Sequence, residues 1–562
     1  MARDPLARIS LTSTPQTQPL PGRPEMVRNA AGGYVFEKDT WRRLEDFLIL
    51  GTSGGTYYVS EDTLTGENVE VLLQALAEDG PRVVQLLTEI STSRPPRAPR
   101  NTPALFALAA AHALGDEATR QAAKTALAKV ARTTHHLATW FGYYKQLGGK
   151  PSRGGTAPVS RPTLRKAIAG WFLEGTPDEA AFKICKARQR RTPQGEQFTV
   201  RDALRIAHPR PYTATAANKL DAMGRRVLLG WAAGKVPDDV ARTELPAVDR
   251  WLTAQEVTTP AQAVRVVREL GVPWEFLPSQ VLVDPTVWDA LIDTIGMTAL
   301  LRNLARMTRI GTLKPLNAAT RRAVARLTNA DAVVRARIHP MDAYLALRVY
   351  ASGRSQPDRR ADVQTWRPVP EILDALEGTY EAAFGAVEPT GKQLLVAVDS
   401  SGSMSWNSVV LGGSPIGSPY TVGCAMAVML ARIEQGDIHL IDVDTSVRWS
   451  KVTQRTNLRE IASWRPSGGG TDLSLPFAYA EREGIDLDGF VVLTDGETWA
   501  GKRHASQTLA SYRQAVNPQA RVVVASMTAT GHTIGDPGDG GVLNVAGLDA
   551  SLPMVVNGFI RA

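Results

Sequence analysis

The segment Gln393–Ser403, QLLVAVDSSGS, decides the reading of this 562-residue chain. Its apolar run Leu394–Val398 ends in Asp399, and Ser401 and Ser403 follow in a D-x-S-x-S spacing. That run predicts a buried strand delivering one carboxylate at its carboxyl end, where open α/β sheets bind ligands. The turn after it brings two hydroxyls to the same side. A carboxylate with hydroxyls is a hard-oxygen donor set, suited to Mg²⁺, with Mn²⁺ as the alternative. Ser-rich turns after strands are common, so this spacing alone is weak. Two further pieces follow downstream, Gly468-Gly469-Gly470-Thr471-Asp472 and Val491-Val492-Leu493-Thr494-Asp495-Gly496.

Around this segment strands alternate with helices. The order is Leu394–Val398, a helix near 421–435, His439–Val443, a helix after Leu473, Phe490–Leu493, a helix near 503–515, and Val522–Met527. Such alternation predicts a doubly wound, mainly parallel α/β sheet. Upstream the pattern differs. Residues 1–30 are rich in Pro, Thr and Gln without periodicity and read as an extended arm. From Trp41 onward the signal is helical. Val69, Leu72, Leu73 and Leu76 share a face, and Gly80-Pro81 ends that helix and starts the next. Asn101-Thr102-Pro103 reads as a cap with proline in the first turn. Further helices are expected at 117–131, 163–174, 178–190, 199–207, 260–270, 286–306, 317–328 and 341–350. Roughly 340 residues of helix exceed one bundle, and stacked pairs of about 40–47 residues would absorb them as a solenoid. Residues 352–368, polar with Pro and Arg, read as the crossing to the second domain. The expected division is an arm at 1–30, an all-α helical-repeat unit at 31–368 and an α/β domain at 369–562.

With 43% hydrophobic and 21% charged residues the chain is globular. Two cysteines, Cys185 and Cys424, are too few for a disulfide framework and point to a reducing cytoplasm. No run reaches the roughly 18 apolar residues of a membrane span. The charge is uneven. Residues 386–562 hold 13 Lys+Arg against 17 Asp+Glu, so 1–385 keep 51 basic and 39 acidic residues of the totals 64 and 56. A net +12 on the helical part suits a polyanionic partner, nucleic acid first. A solvated Arg-rich surface is the other reading.

The densest basic stretch is 150–210, with 13 Lys+Arg and five acidic residues. Lys183, Lys186 and Arg190 fall at i, i+3, i+7 on one helical face, with Arg188 and Arg191 flanking it and Arg165-Lys166 on the helix before. Such a face can neutralise several phosphates, a salt-sensitive and sequence-independent source of affinity. His208, ending the next helix, is either a contact to base or phosphate or a structural histidine. Trp171 and Phe172 sit at core spacing and read as packing. Farther on, Arg302, Arg306 and Arg309 form a second cationic face, which either tracks phosphates or pairs with neighbouring helices.

The chain also resembles a known family over nearly its whole length. Asp399, Ser401, Ser403, Thr471 and Asp495 resemble the metal-ion-dependent adhesion site (MIDAS) of von Willebrand factor A domains. In that family the first four bind the metal directly and the last Asp usually acts through water. LGTSGGTYYV ending at Val59, LRKAIAGWF at 164–172, KARQRR at 186–191, RDALRIAHPRP at 201–211 and MTALLRNLARMT at 297–308 resemble TROVE-module proteins, the Ro autoantigen family. So do VEPTGKQLLVAVDSSGSM at 387–404, GGTDLSLP at 469–476, LTDGETWAG at 493–501 and MTATGHTIGDPGD at 527–539. The resemblance implies a ring of HEAT-like helical repeats joined by a von Willebrand factor A-like domain. It implies small structured noncoding (Y-like) RNA on the outer face and single-stranded 3′ ends of misfolded RNA in the hole. By resemblance the RNA contacts include Lys186, Arg188, Arg190 and His208. The segment Thr192–Phe198 departs from the family's shorter aromatic turn. Bacterial members are implied to act in noncoding-RNA quality control beside a 3′-to-5′ exoribonuclease such as polynucleotide phosphorylase.

Three functions follow from these residues. The first is an RNA-binding ribonucleoprotein scaffold without enzymatic activity. The second is a metal-dependent nuclease or phosphatase, for which the clustered carboxylates of two-metal sites are missing. The third is an adhesion-type module in which a partner's acidic side chain completes the metal shell, and it is compatible with the first.

Overall fold

The computed structural model describes residues 13–52, 61–148, 162–186, 200–210, 219–355, 362–405, 409–411, 414–434 and 438–562. The N-terminal arm is docked along its described part. Its strand β1 (Met26–Arg28) and β2 (Tyr34–Glu37), just beyond it, form an antiparallel hairpin, with Met26 opposite Phe36. No apolar periodicity signals these three- and four-residue strands.

The helical part runs α1 (Thr40–Leu50), α2 (Glu61–Thr92), α3 (Thr102–Leu114), α4 (Glu117–Val130), α5 (Thr134–Leu147), α6 (Pro162–Leu173), α7 (Pro177–Cys185), α8 (Val200–Ala207) and α9 (Lys219–Ala232). It continues with α10 (Asp238–Glu244), α11 (Pro246–Gln255), α12 (Pro260–Leu270), α13 (Pro285–Leu291), α14 (Met297–Arg309), α15 (Ala318–Leu327), α16 (Ala330–Arg335), α17 (Pro340–Ala351) and α18 (Pro370–Ala382). The expected break at Gly80-Pro81 is present, because α2 kinks at Asp79 (φ −153°, ψ 82°). Asn101 does not cap α3 with its side chain. Its amide instead donates to the Val130 carbonyl at 2.8 Å and accepts from Ser91, tying α2 to α4. The single helix expected at 286–306 is two helices. Leu291 ends the first, and Gly296, extended at φ −60° and ψ 145°, starts the second. The helix expected at 178–190 is described to Cys185, and 187–190 lie outside the described residues.

Helices pack on the next but one in sequence, α2 on α4, α3 on α5, α4 on α6 and α6 on α8, as two-layered repeats require. The succession then closes on itself. Arg337 donates to the Ser91 and Thr92 carbonyls at the end of α2, and the His339 ring lies 3.3 Å from the Arg97 carbonyl. The result is a helical-repeat ring. The stretch after Tyr350 packs against it, with Trp366 stacked on Tyr350 and donating to its carbonyl at 2.9 Å.

The second domain contains β3 (Leu394–Asp399), β4 (Val409–Leu411), β5 (Ser414–Gly417), α19 (Pro419–Glu434), β6 (Ile438–Val443), β7 (Val447–Trp449), α20 (Leu458–Ile461) and α21 (Leu475–Glu483). After these come β8 (Gly489–Thr494), α22 (Ala505–Ala515), β9 (Arg521–Ser526), β10 (His532–Thr533), β11 (Val542–Ala546) and α23 (Leu552–Arg561). Its main sheet has the order β11-β9-β8-β3-β6-β7, parallel except for β7. All six residues of β3 and of β8 are buried. Val396 and Val398 pack towards α19, while Leu395 and Ala397 pack towards α21 and α22, so both faces are covered. The doubly wound expectation therefore holds.

Two joints fix ring to sheet. Strand β10 pairs with β2, Thr533 opposite Phe36. Behind it Lys38, buried with Asp46, donates to Asp46 at 2.7 Å, to Ser526 of β9 at 3.1 Å and to the Thr530 carbonyl at 3.2 Å. Burial lowers the Lys38 pKa. Burial also opposes ionisation of Asp46, but Lys38 and Arg42 together hold its pKa below the ordinary value. At the ring's closure Arg97 pairs with Asp549 at 2.8 Å and with Glu45.

Candidate functional site

Asp399 sits at the carboxyl end of the central strand β3, flanked by β8 and β6. One carboxylate oxygen accepts the Ser401 amide at 2.9 Å, and the other accepts the Thr494 hydroxyl at 2.6 Å. Ser401 and Ser403 face each other with hydroxyl oxygens 3.1 Å apart. Asp495, one residue beyond β8, accepts a hydrogen bond from Ser403 and the Glu497 amide at 3.1 Å. Thr471 reaches this turn through its loop. Gly402 donates to the Gly469 carbonyl at 3.1 Å, and Gly468 donates to the Ser400 carbonyl at 3.0 Å. Gly468 (φ 83°) and Gly469 (φ 95°) adopt left-handed backbone, so the glycines make this stapling possible. The Thr471 carbonyl in turn accepts the Trp499 and Ala500 amides, both at 3.0 Å.

Asp399, Ser401, Ser403, Thr471 and Asp495 are all buried. Burial raises the Asp399 pKa, against the pull of the Ser401 and Thr494 hydrogen bonds. Burial and then the neighbouring Asp399 charge push Asp495 up to about 8. Among the described residues no Lys or Arg forms an ion pair with either carboxylate. Two buried carboxylates, Asp399 raising Asp495, surrounded by hydroxyls, fit a small divalent cation, whose charge would offset both. Sequence reading missed several residues here. Glu497 is fully buried, and its carboxylate accepts the Ala31 amide of the arm at 3.0 Å. Asp444 hydrogen-bonds Ser446 and pairs with Arg448 beside the same cleft, where its charge opposes ionisation of Asp399. Neither lies in a spacing that marks it.

The basic candidates gather on neighbouring helices. Arg165 and Lys166 are exposed on α6. On α7, the Lys183 ammonium lies 5.8 Å over the Trp171 ring, and Lys186 pairs with Glu275 at 3.5 Å. His208, just past α8, is exposed and in left-handed backbone at φ 44°, its amide donating to the Leu204 carbonyl at 2.9 Å. Arg188 and Arg190 lie outside the described residues. Trp171 is buried and donates to the Ala131 carbonyl at 2.6 Å, and Phe172 is buried beside it, so both are packing residues. On α14 the three arginines differ. Arg306 donates to the Leu282 carbonyl at 3.0 Å and lies 5.1 Å over Trp288, and Arg309 donates to Gln364 at 2.7 Å. Arg302 is exposed, and its charge acts on the half-buried Asp342 of α17.

Residues 393–560 match the Ro60 vWA domain model, and residues 269–348 match the TROVE domain model. The chain is 34% identical over 560 residues to the RNA-binding protein RO60 of Deinococcus radiodurans, covering 99% of both chains. It is 27% identical to the RNA-binding protein RO60 of Caenorhabditis elegans, covering 95% of this chain and 90% of that one. Among solved structures it is similar to the Deinococcus radiodurans RO (RSR) protein, with TM-score 0.66 and 33% identity over 93% of this chain and 99% of that one.

Proposed function

We propose, from the premise that this chain belongs to the Ro60 family, that it is an RNA-binding protein acting as a ribonucleoprotein scaffold. The observation that carries this reading is the exposed basic surface of α6–α8, with Arg165, Lys166 and His208 on adjacent helices beside Lys183 and Lys186. Phosphate contacts of this kind position an RNA without reading its sequence. In our reading a small structured, Y-like noncoding RNA docks there on the outside of the ring. The single-stranded 3′ end of a misfolded RNA enters the ring, with Arg302 as an accessible cation of α14. The assembly serves noncoding-RNA quality control in the cytoplasm, beside a 3′-to-5′ exoribonuclease such as polynucleotide phosphorylase.

Two experiments test this. Crosslinking and sequencing of RNA that co-purifies from the native cell should return defined small structured RNAs, and an absence of RNA would sink the reading. Replacing Lys186, Arg188 and Arg190 together by Ala should lower the salt slope of log K by about 2–3, at roughly 0.7–0.9 per lost phosphate contact. An unchanged slope places the RNA face elsewhere.

A second reading applies to the cleft and is compatible with the first. Asp399, Ser401, Ser403 and Thr471 would hold Mg²⁺ or Mn²⁺ directly, and Asp495 through water. The ion would supply a Lewis-acidic position that an acidic side chain of a partner protein completes. The paired buried carboxylates favour this reading.

A further inference from the structure

Among the arm's contacts beside the cleft, one side chain bonds both of its loops. Gln16 is fully buried although it lies in the polar, unpatterned stretch Thr14-Pro15-Gln16-Thr17. Its amide nitrogen donates to the Asp472 carboxylate at 2.9 Å and to the Arg503 carbonyl at 3.0 Å. Its amide oxygen accepts from the Thr498 hydroxyl, which also lies 3.1 Å from the Thr471 carbonyl and accepts the Leu473 amide at 3.2 Å. The partners fix which way the amide points, since Asp472 and Arg503 offer only acceptors to it. Around Gln16 the rest of the arm is equally close, through its backbone and the Asn29 side chain. The Gln16 amide donates to the Gly501 carbonyl at 3.0 Å, and Asn29 donates to the Thr498 carbonyl at 2.9 Å. A Cβ on Gly33 would lie 1.9 Å from that same carbonyl oxygen, so only glycine lets the hairpin approach so closely.

We infer that Gln16 is a positioning residue for the cation cleft: it clamps the loop bearing Thr471 to the loop that follows Asp495, so that ligands from β3, β8 and the glycine loop stay in register. This rests on the metal reading given above. Thr471 and Asp495 lie on separate loops, joined at the Thr471 carbonyl by the Thr498 hydroxyl and by the Trp499 and Ala500 amides. Gln16 bonds one residue from Thr471, at Asp472, and three residues from Asp495, at Thr498. Outer-shell partners of this kind orient ligands and tune affinity although they never touch the ion.

The test is Mn²⁺ binding to the full-length chain, read from the electron-paramagnetic-resonance signal of free Mn²⁺ well below the melting temperature, with melts recorded in EDTA. Gln16→Met keeps the bulk and removes all three side-chain hydrogen bonds. It should weaken Mn²⁺ binding roughly 10–100-fold, the usual cost of losing an outer-shell partner. Arg23→Ala is the control. Arg23 anchors the same arm by a two-pronged pair with Asp536, each contact 2.7 Å, without bonding either loop. It should lower the melting point in EDTA and leave Mn²⁺ affinity as in wild type. Wild-type affinity in Gln16→Met overturns the inference, as does an equal loss in Arg23→Ala. A wild-type chain that takes up no Mn²⁺ overturns the metal reading itself, and the clamp with it. Should Gln16→Met fail to fold, Thr498→Val against Thr498→Ser decides: Val should lose affinity like Gln16→Met, and Ser should keep it.

Discussion

The ring and the sheet domain both present candidate binding chemistry, but they build it in opposite ways. In the sheet domain the candidate groups are buried in a cleft beside strand ends, and hydrogen bonds fix the carboxylates, as with Asp399 between Ser401 and Thr494. On the ring they are long cationic side chains on helix exteriors, such as Arg165 and Lys166. A small ion must be met by several groups in one geometry, so its site needs a rigid buried frame. A polyanion needs only charge at a suitable density, which exposed helices supply. The sheet domain should therefore be sensitive to single changes, and the ring to sums of changes.

The sharpest challenge to this division is the joint between the two regions. Lys38 and Asp46 are each 1% exposed at the side chain, and Lys38 reaches from the arm to both α1 and β9. Removing one partner of a buried pair strands the other charge and costs about 3–5 kcal/mol. Arg42, bonded to Asp46 at 3.0 Å, should hold the loss at the low end of that range. Lys38→Met should therefore lower thermal stability by about 3 kcal/mol. If ring and sheet unfold independently, calorimetry will show only one transition shifted; we expect both to move.

Within the sheet domain, Asp399→Ala removes the central carboxylate of the cleft. Divalent-ion stabilisation should vanish, a loss of about 2.7 kcal/mol at ion concentrations near 100 times Kd. RNA binding should be unaffected, since the basic helices lie on the other region. Melts of wild type that are indifferent to Mg²⁺, Mn²⁺ and EDTA would refute a metal site.

What the sequence disclosed follows the same contrast. D-x-S-x-S after an apolar run was legible because strand, carboxylate and turn are contiguous. Gly80-Pro81 was legible because a proline cannot continue a helix. Gln16 was not, since its partners lie more than 450 residues away and nothing local marks it. The hairpin Met26–Glu37 escaped because its strands are too short to show alternation, and the third strand of its sheet is the distant β10. The split within 286–306 escaped because Ile292 and Ile295 are buried and continue the apolar pattern through a segment that is not helical. On the ring, the shared helical face of Arg302, Arg306 and Arg309 hid three different environments. Periodicity gives a face but not what lies against it.

Acid should distinguish the regions next, because the ring buries neutral histidines. Burial lowers the pKa of His112 to about 4 and that of His339 to about 3. The His339 ring accepts the Met341 amide at 3.0 Å to cap α17, which only a neutral ring can do. An unfolded histidine takes up a proton near pH 6.5, so the contribution of each is full above that pH and is lost as pH falls below it, about 2 kcal/mol each by pH 5. Asp342 acts the other way. Burial raises it to about 6, so its protonation in the folded state stabilises the ring by about 1.4 kcal/mol over the same fall. His136, which burial lowers to about 3, adds to the loss, so the ring should be less stable at pH 5 than at pH 7. Far-ultraviolet melts across that range measure it, and His339→Gln, which keeps polar atoms but does not titrate, should flatten the dependence.

The smallest effect concerns α14, where the comparison is finest because two arginines of one face have different partners. Arg306 lies over Trp288 and donates to the Leu282 carbonyl, so it holds α14 to the preceding segment. Arg306→Ala should cost about 1–2 kcal/mol from the lost cation–π contact and hydrogen bond. Arg302 is exposed, so Arg302→Ala should leave stability within about 0.5 kcal/mol. If the α14 face follows a single strand, Arg302 is an exposed side chain able to track phosphates, and its loss should reduce the salt slope by about 0.7 for a single-stranded contact. The measurement compares a hairpin bearing a 3′ overhang with the same hairpin blunt-ended and with a 5′ overhang. Wild type should prefer the 3′ overhang, Arg302→Ala should narrow that preference, and Arg306→Ala should narrow it only with a lower melting point. Equal affinity for all three RNAs in wild type and in Arg302→Ala would remove the single strand from the ring.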